Sequence, residues 1–117
     1  MMSEAKVQFR LRISKGEEIA VGPGKVALLE QIESTGSITA AAKALGMSYR
    51  RAWLLVDSMN RSFRKPVVDT VTGGSHGGGT AVTTTGKEVI RRYRKTEALA
   101  HKAGNEEIAA LLKLLAA

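Results

Sequence analysis

The stretch Ile38–Asp57, ITAAAKALGMSYRRAWLLVD, sets the reading of the whole chain. Thr39 to Leu45 is a short run of strong helix formers with almost no bulk. Gly46 follows, at a point where leaving the helix in a left-handed conformation costs glycine least. After Met47, Ser48 is a good N-cap for a second helix, predicted over residues 48–62. Two helices joined by a tight glycine-containing turn make a helix-turn-helix. Ala41, Ala42 and Ala52 leave room for a close crossing, and Leu45 and Leu55 fill the wedge between the helices.

The second helix is amphipathic at 100° per residue. With Ser48 at zero, Met59, Ala52, Phe63 and Val56 share one narrow arc, bordered by Leu55, Tyr49 and Trp53. That arc is the expected buried stripe. Arg50, Arg51, Asp57, Ser58 and Arg61 fall on the opposite face, with Leu54 an exposed apolar residue among them. In DNA-reading helices of this kind the N-terminal residues meet base edges. Arginine pairs bidentately with guanine, and an apolar side chain meets the thymine methyl. Arg50, Arg51 and Leu54 are therefore the candidate base readers, with Ser48 and Tyr49 assisting. Ser37 caps the first helix, and Ser37, Thr39 and Lys43 are candidate phosphate contacts.

Upstream, Val7, Phe9, Leu11 and Ile13 alternate with Lys6, Gln8, Arg10 and Arg12. This period of two predicts a half-buried strand over 6–13, a turn at 14–17 and a short return strand at 19–21. Gly22-Pro23-Gly24 then starts a helix over about 25–34 that buries Val26, Leu29 and Ile32. Downstream, Arg64-Lys65-Pro66 ends the helical pattern, and residues 67–71 and 80–83 read as two short strands around TGGSHGGG. Five glycines in this loop, 72–79, give close backbone access to a phosphate surface, as a wing would need. Gly74, Ser75 and His76 are its candidate contacts. The loop lacks the Gly-Lys-Ser/Thr ending and the βαβ context of a nucleotide site.

Thr83 to Thr85 offer N-caps for a long final helix, with Thr85 and Glu88 at capping-box spacing. Val89, Tyr93, Thr96, Ala100 and Ala103 recur along it at steps of four and three, the seam of a helix packing on another helix. Gly104-Asn105 interrupts the run, and Ile108, Leu111, Leu112 and Leu115 form the apolar face of a last helix. We expect Val89, Tyr93, Ala100, Ile108, Leu111, Leu112 and Leu115 to form a dimer contact about a two-fold axis. The alternative is a protein–protein interaction module that uses the leucine-rich C-terminal helix, with the basic face incidental.

The 117 residues suit one domain plus an extension, expected at 1–83 and 84–117. A net charge of +7 and a pI near 10.1 make a polyanion the first candidate partner. With no cysteine, the chain has no disulfide, thiolate metal site or cysteine nucleophile. His76 and His101 lie far apart with no ligand spacing around them, and no catalytic triad has a placed base. The expectation is a non-enzyme without metal or cofactor. The N-terminus lacks a signal-peptide core and no run approaches a membrane span, so a cytoplasmic protein is expected.

Several pieces recur in a known order: Gly36-Ser37-Ile38, Ala41 to Lys43, Ser48-Tyr49, Ala52-Trp53, the TGG…GGG wing and Thr83…Gly86. Together, over about residues 25–92, they resemble the winged helix-turn-helix domain of ModE-type molybdate-responsive transcription regulators. More distantly they are similar to the LysR-type DNA-binding domain. The resemblance implies a mainly α fold with a small β component, and a dimeric, sequence-specific regulator bound to double-stranded DNA. ModE-type regulators carry a second, molybdate-binding region after this domain. The chain ends at Ala117, where that region would begin, so a regulator lacking a separate molybdate-binding domain is expected, its effector open.

Overall fold

The computed structural model describes residues 4–71 and 79–116. Its elements run β1 (Ile13–Lys15), β2 (Glu18–Val21), α1 (Pro23–Thr35), α2 (Ile38–Ala44), α3 (Tyr49–Ser62), β3 (Val68–Val71), β4 (Gly79–Val82), α4 (Thr84–Ala103) and α5 (Asn105–Lys113). The chain is thus mainly α with two small antiparallel hairpins, β1–β2 and β3–β4.

The core forms where α1, α2 and α3 meet the β3–β4 hairpin. Leu28, Leu29, Ile32, Ala41, Ala52, Met59 and Val67 are fully excluded from solvent. Each large side chain among them contributes about 1.5–3 kcal/mol relative to exposure. Small residues set the spacing here. Ala41 and Ala42 of α2 and Ala52 of α3 are buried at the crossing, and Leu45, Met47 and Leu55 pack around it.

Local chemistry fixes the joints. Gly36 ends α1 at φ 69°, and Gly46 turns the chain between α2 and α3 at φ 66°, both left-handed values that tax any side chain. Ser37 Oγ accepts from Ala40 N–H and Ser48 Oγ from Arg51 N–H, each at 3.1 Å, so both serines are N-caps. Thr83 caps α4, accepting from Gly86 N–H at 3.0 Å; Glu88 does not close a box on Thr85 but pairs with Arg91 and Arg92. The β3–β4 hairpin is tied to the helices. Asn60 Oδ1 accepts from Val67 and Val68 N–H, and Thr80 N–H donates to the Gly36 carbonyl at 3.0 Å.

The expected strand over 6–13 is not a strand: regular pairing begins only at Ile13. Its partner β2 has four residues and stops before Gly22-Pro23, and the register slips between Ile13 and Ser14. Residues before Ile13 therefore lack a ladder to join. Leu11 and Phe9 of this segment lie against α4 instead. Tyr93 donates its hydroxyl to the Leu11 carbonyl at 2.8 Å, and Phe9 meets His101 edge to face at 4.6 Å.

α4 begins at Thr84, and its first three turns belong to the body. Gly86 sits against Val67, buried Tyr93 packs with Val21 and Val26, and Arg94 pairs with Glu30. Beyond Glu97 the helix extends outward with α5, which has no buried residue. The radius of gyration of 17.4 Å exceeds the roughly 13 Å of a compact chain of this length, as such a projection requires.

Candidate nucleic-acid interface

Helix α3 is held to the body by the stripe its sequence encodes. Ala52, Val56 and Met59 are buried and Leu55 and Phe63 half-buried. Its outward face carries Arg50, Arg51 and Leu54, all exposed. Among the described residues neither Arg50 nor Arg51 enters an ion pair. The two guanidiniums thus keep their full donor sets toward solvent, at the end of the helix that would meet base edges.

One position on this helix differs from the wheel. Ser58, expected outward, is only 8% exposed. Its hydroxyl accepts from Lys25 Nζ at 2.8 Å and donates to Glu18 Oε1 at 2.7 Å. Lys25 also donates to the Ile19 carbonyl, and burial pushes its ammonium below the usual lysine range. The hydrogen bond from Ser58 and the neighbouring cations hold the Glu18 carboxyl below the usual range. A polar clamp therefore joins β2, α1 and α3, and it requires a small hydroxyl where periodicity offers only an outward position. Arg61 is exposed, but Asp57 and Glu18 partner it at 3.1 and 3.4 Å, so it stabilises α3 rather than adding an open cation. Trp53 and Tyr49, bordering the stripe, stay 45% and 53% exposed.

The remaining candidates flank α3. Thr39 and Lys43 are exposed on α2, and Ser37 opens that helix. The strands of the wing pair in register from Val68↔Val82 to Val71↔Gly79. Gly74, Ser75 and His76 lie outside the described residues. Ser37, Thr39, Ser48, Tyr49, Arg50, Arg51, Leu54 and Lys43 thus cluster on α2, its turn and the start of α3, beside the base of the wing. Among the expected dimer residues, Val89 and Tyr93 are spent within the chain, because they pack against Val21, Val26 and Leu11. Ala100 and Ile108 are half-buried, and Leu111, Leu112 and Leu115 are exposed. Among the described residues no group of acidic, histidine or cysteine side chains is placed to hold a metal, and no helix is long and apolar enough to cross a membrane.

No family model matches the chain. Curated relatives do. It is 36% identical over 96 residues to the molybdenum transport protein ModE of Azotobacter vinelandii, covering 82% of this chain and 36% of that protein. It is 45% identical over 78 residues to the molybdenum-pterin-binding protein MopB of Rhodobacter capsulatus, covering 67% and 29%. It is 36% identical over 86 residues to the transcriptional regulator ModE of Haemophilus influenzae, covering 74% and 34%. The chain spans about a third of the length of these relatives. Among solved structures, the CbnR DNA-binding domain in complex with DNA matches with a TM-score of 0.56 at 18% identity, covering 75% of this chain and 95% of that one. A LysR family transcriptional regulator matches at 0.54 and 16% identity, covering 80% and 30%. With the α2–turn–α3 unit followed by the β3–β4 hairpin, these likenesses give the fold: the chain is a winged helix-turn-helix domain, similar in sequence to part of the ModE-type regulators and in fold to the LysR-type DNA-binding domain.

Proposed function

We propose that the chain is a sequence-specific, double-stranded DNA-binding transcriptional regulator that acts without enzymatic chemistry. Helix α3 enters the major groove, Arg50, Arg51 and Leu54 read base edges, and Ser48 and Tyr49 assist. Ser37, Thr39 and Lys43 meet phosphates, and the wing around Gly74, Ser75 and His76 lies on the flanking backbone. One observation carries this reading: two arginines without an ion-pair partner among the described residues stand on the face of α3 opposite its buried stripe. A net charge of +7 agrees with it, as do regulators among the relatives and a DNA complex among the fold neighbours.

The protein acts as a dimer in this proposal. Leu111 and Leu112 are 64% and 40% exposed on α5, and Leu114 and Leu115, just past its end, are 82% and 60% exposed, an apolar run of the kind that marks an interaction site. A second copy covers that face and places two α3 helices on a two-fold operator.

Selection of bound sequences from a randomised duplex pool tests the function. A selected site should have two related halves, and affinity should fall steeply as salt rises. No salt-dependent duplex binding would leave the exposed leucine face as the working surface and the protein as an interaction module.

A further inference from the structure

A cleft of about 230 Å³ separates the start of α2 and α3 from the β3–β4 hairpin. Trp53 and Tyr49 of α3 line one side, and Ser37, Thr39, Thr70 and Thr80, each a hydroxyl-bearing residue, line much of the rest. Thr70 and Thr80 are direct cross-strand partners, two positions beyond the buried pair Val68↔Val82. Side chains two apart on a strand share a face. The inner face of the hairpin therefore runs from the core straight into the cleft, changing from valine to threonine as it emerges.

Trp53 is the only tryptophan of the chain, and it is left 45% exposed although the core lies one position away at Ala52. An indole offers a flat apolar face and a single N–H donor. Four hydroxyls and a phenol around it supply short, rotatable donors. Arg50 adjoins Trp53, Tyr49 and Leu54 in a neighbouring hollow and brings positive charge. This combination suits a ligand with one ring that presents C–H groups on a face and one anionic group of oxygens. Resting on the DNA-binding reading above, we propose that the cleft takes one deoxyribose-phosphate unit of a duplex backbone, its sugar against Trp53 and its phosphate among the hydroxyls of Thr39, Tyr49 and Thr80. A further hollow shares Trp53 and Thr70 but carries Asp57 and Asp69, so the phosphate belongs on the Ser37–Thr80 side. Trp53, Thr70 and Thr80 thereby become positioning contacts that hold one strand between the reading helix and the wing, without reading sequence themselves.

The test uses the whole chain and duplexes in which single phosphates are replaced, one at a time, by neutral methylphosphonates. In the wild type one position per half-site should weaken binding about five- to tenfold, and saturating duplex should change the Trp53 emission. In Trp53→Ala, and in the near-isosteric Thr80→Val, the same replacement should cost less than about twofold, while preference among base sequences is unchanged. Equal methylphosphonate losses in wild type and both variants would overturn the assignment even though the duplex binds. An emission insensitive to bound duplex would overturn it as well. Absence of any duplex binding would remove the DNA-binding reading itself, and this proposal with it.

Discussion

Replacing Ser58 by alanine tests how the reading helix is fastened. Ser58 and Lys25 are each only 8% exposed, and the serine hydroxyl is the one side-chain acceptor the buried ammonium has among the described residues. Removing it leaves Lys25 with the Ile19 carbonyl alone. Glu18 loses a donor too, but its carboxylate keeps Arg61 at 3.4 Å and reaches water, so that part costs little. A buried charged group stripped of a partner costs about 1–3 kcal/mol, and we expect about 2 kcal/mol here. For a domain of this size that corresponds to a fall in Tm of roughly 8 °C. In a Lys25→Met background the charge is gone, and Ser58→Ala should then cost less than about 0.5 kcal/mol. Urea unfolding of the four proteins of this cycle, followed by far-ultraviolet circular dichroism, gives the coupling directly. Additive effects within about 0.3 kcal/mol would refute the clamp, as would a Ser58→Ala protein as stable as wild type.

A methyl group added at Gly86 would lie 2.2 Å from the Val67 carbonyl oxygen and 2.6 Å from Val82 Cγ1, so Gly86→Ala should cost about 3 kcal/mol in chemical denaturation by prying α4 from the hairpin. Glu18 and Glu88 have carboxyls held below the ordinary 4.5 in the fold, Glu18 by Ser58 and Glu88 by Arg92 and Arg91. Their contribution is therefore complete above the ordinary value and disappears as pH falls through the folded one; Tm should drop below about pH 4.5, and less steeply in a Glu18→Gln, Glu88→Gln protein. Leu111→Asp with Leu115→Asp should convert the proposed dimer to a monomer in sedimentation equilibrium without lowering the helix content of the body.

The helix-turn-helix was legible because several local signals agree there. Small residues fall at the crossing, glycine falls at the turn, and two serines stand in cap positions. The same agreement made Arg50 and Arg51 visible as an outward pair. What escaped the sequence depends on partners distant along the chain. The alternation of Val7 to Ile13 was sound as a pattern, but a strand needs a neighbour, and β2 is too short to provide one. Ser58 looked outward by periodicity because the residues that bury it, Lys25 and Glu18, lie 33 and 40 positions away. Tyr93 and Val89 kept the spacing of a helix seam, yet periodicity cannot say whether the facing surface is the chain's own body or another subunit's. Trp53 sat at the border of the stripe, and only the position of the β3–β4 hairpin shows that it walls a cleft.

Binding of Arg51→Ala and Lys43→Ala to a selected site and to its single-base variants addresses the outward face of α3 most directly. Arg51→Ala should lose about 1–3 kcal/mol on the selected site and lose discrimination at one base pair, whereas Lys43→Ala should weaken every duplex alike and flatten the salt dependence. Should Arg51→Ala weaken all duplexes equally, with each base preference intact, α3 would not be the element that reads the DNA.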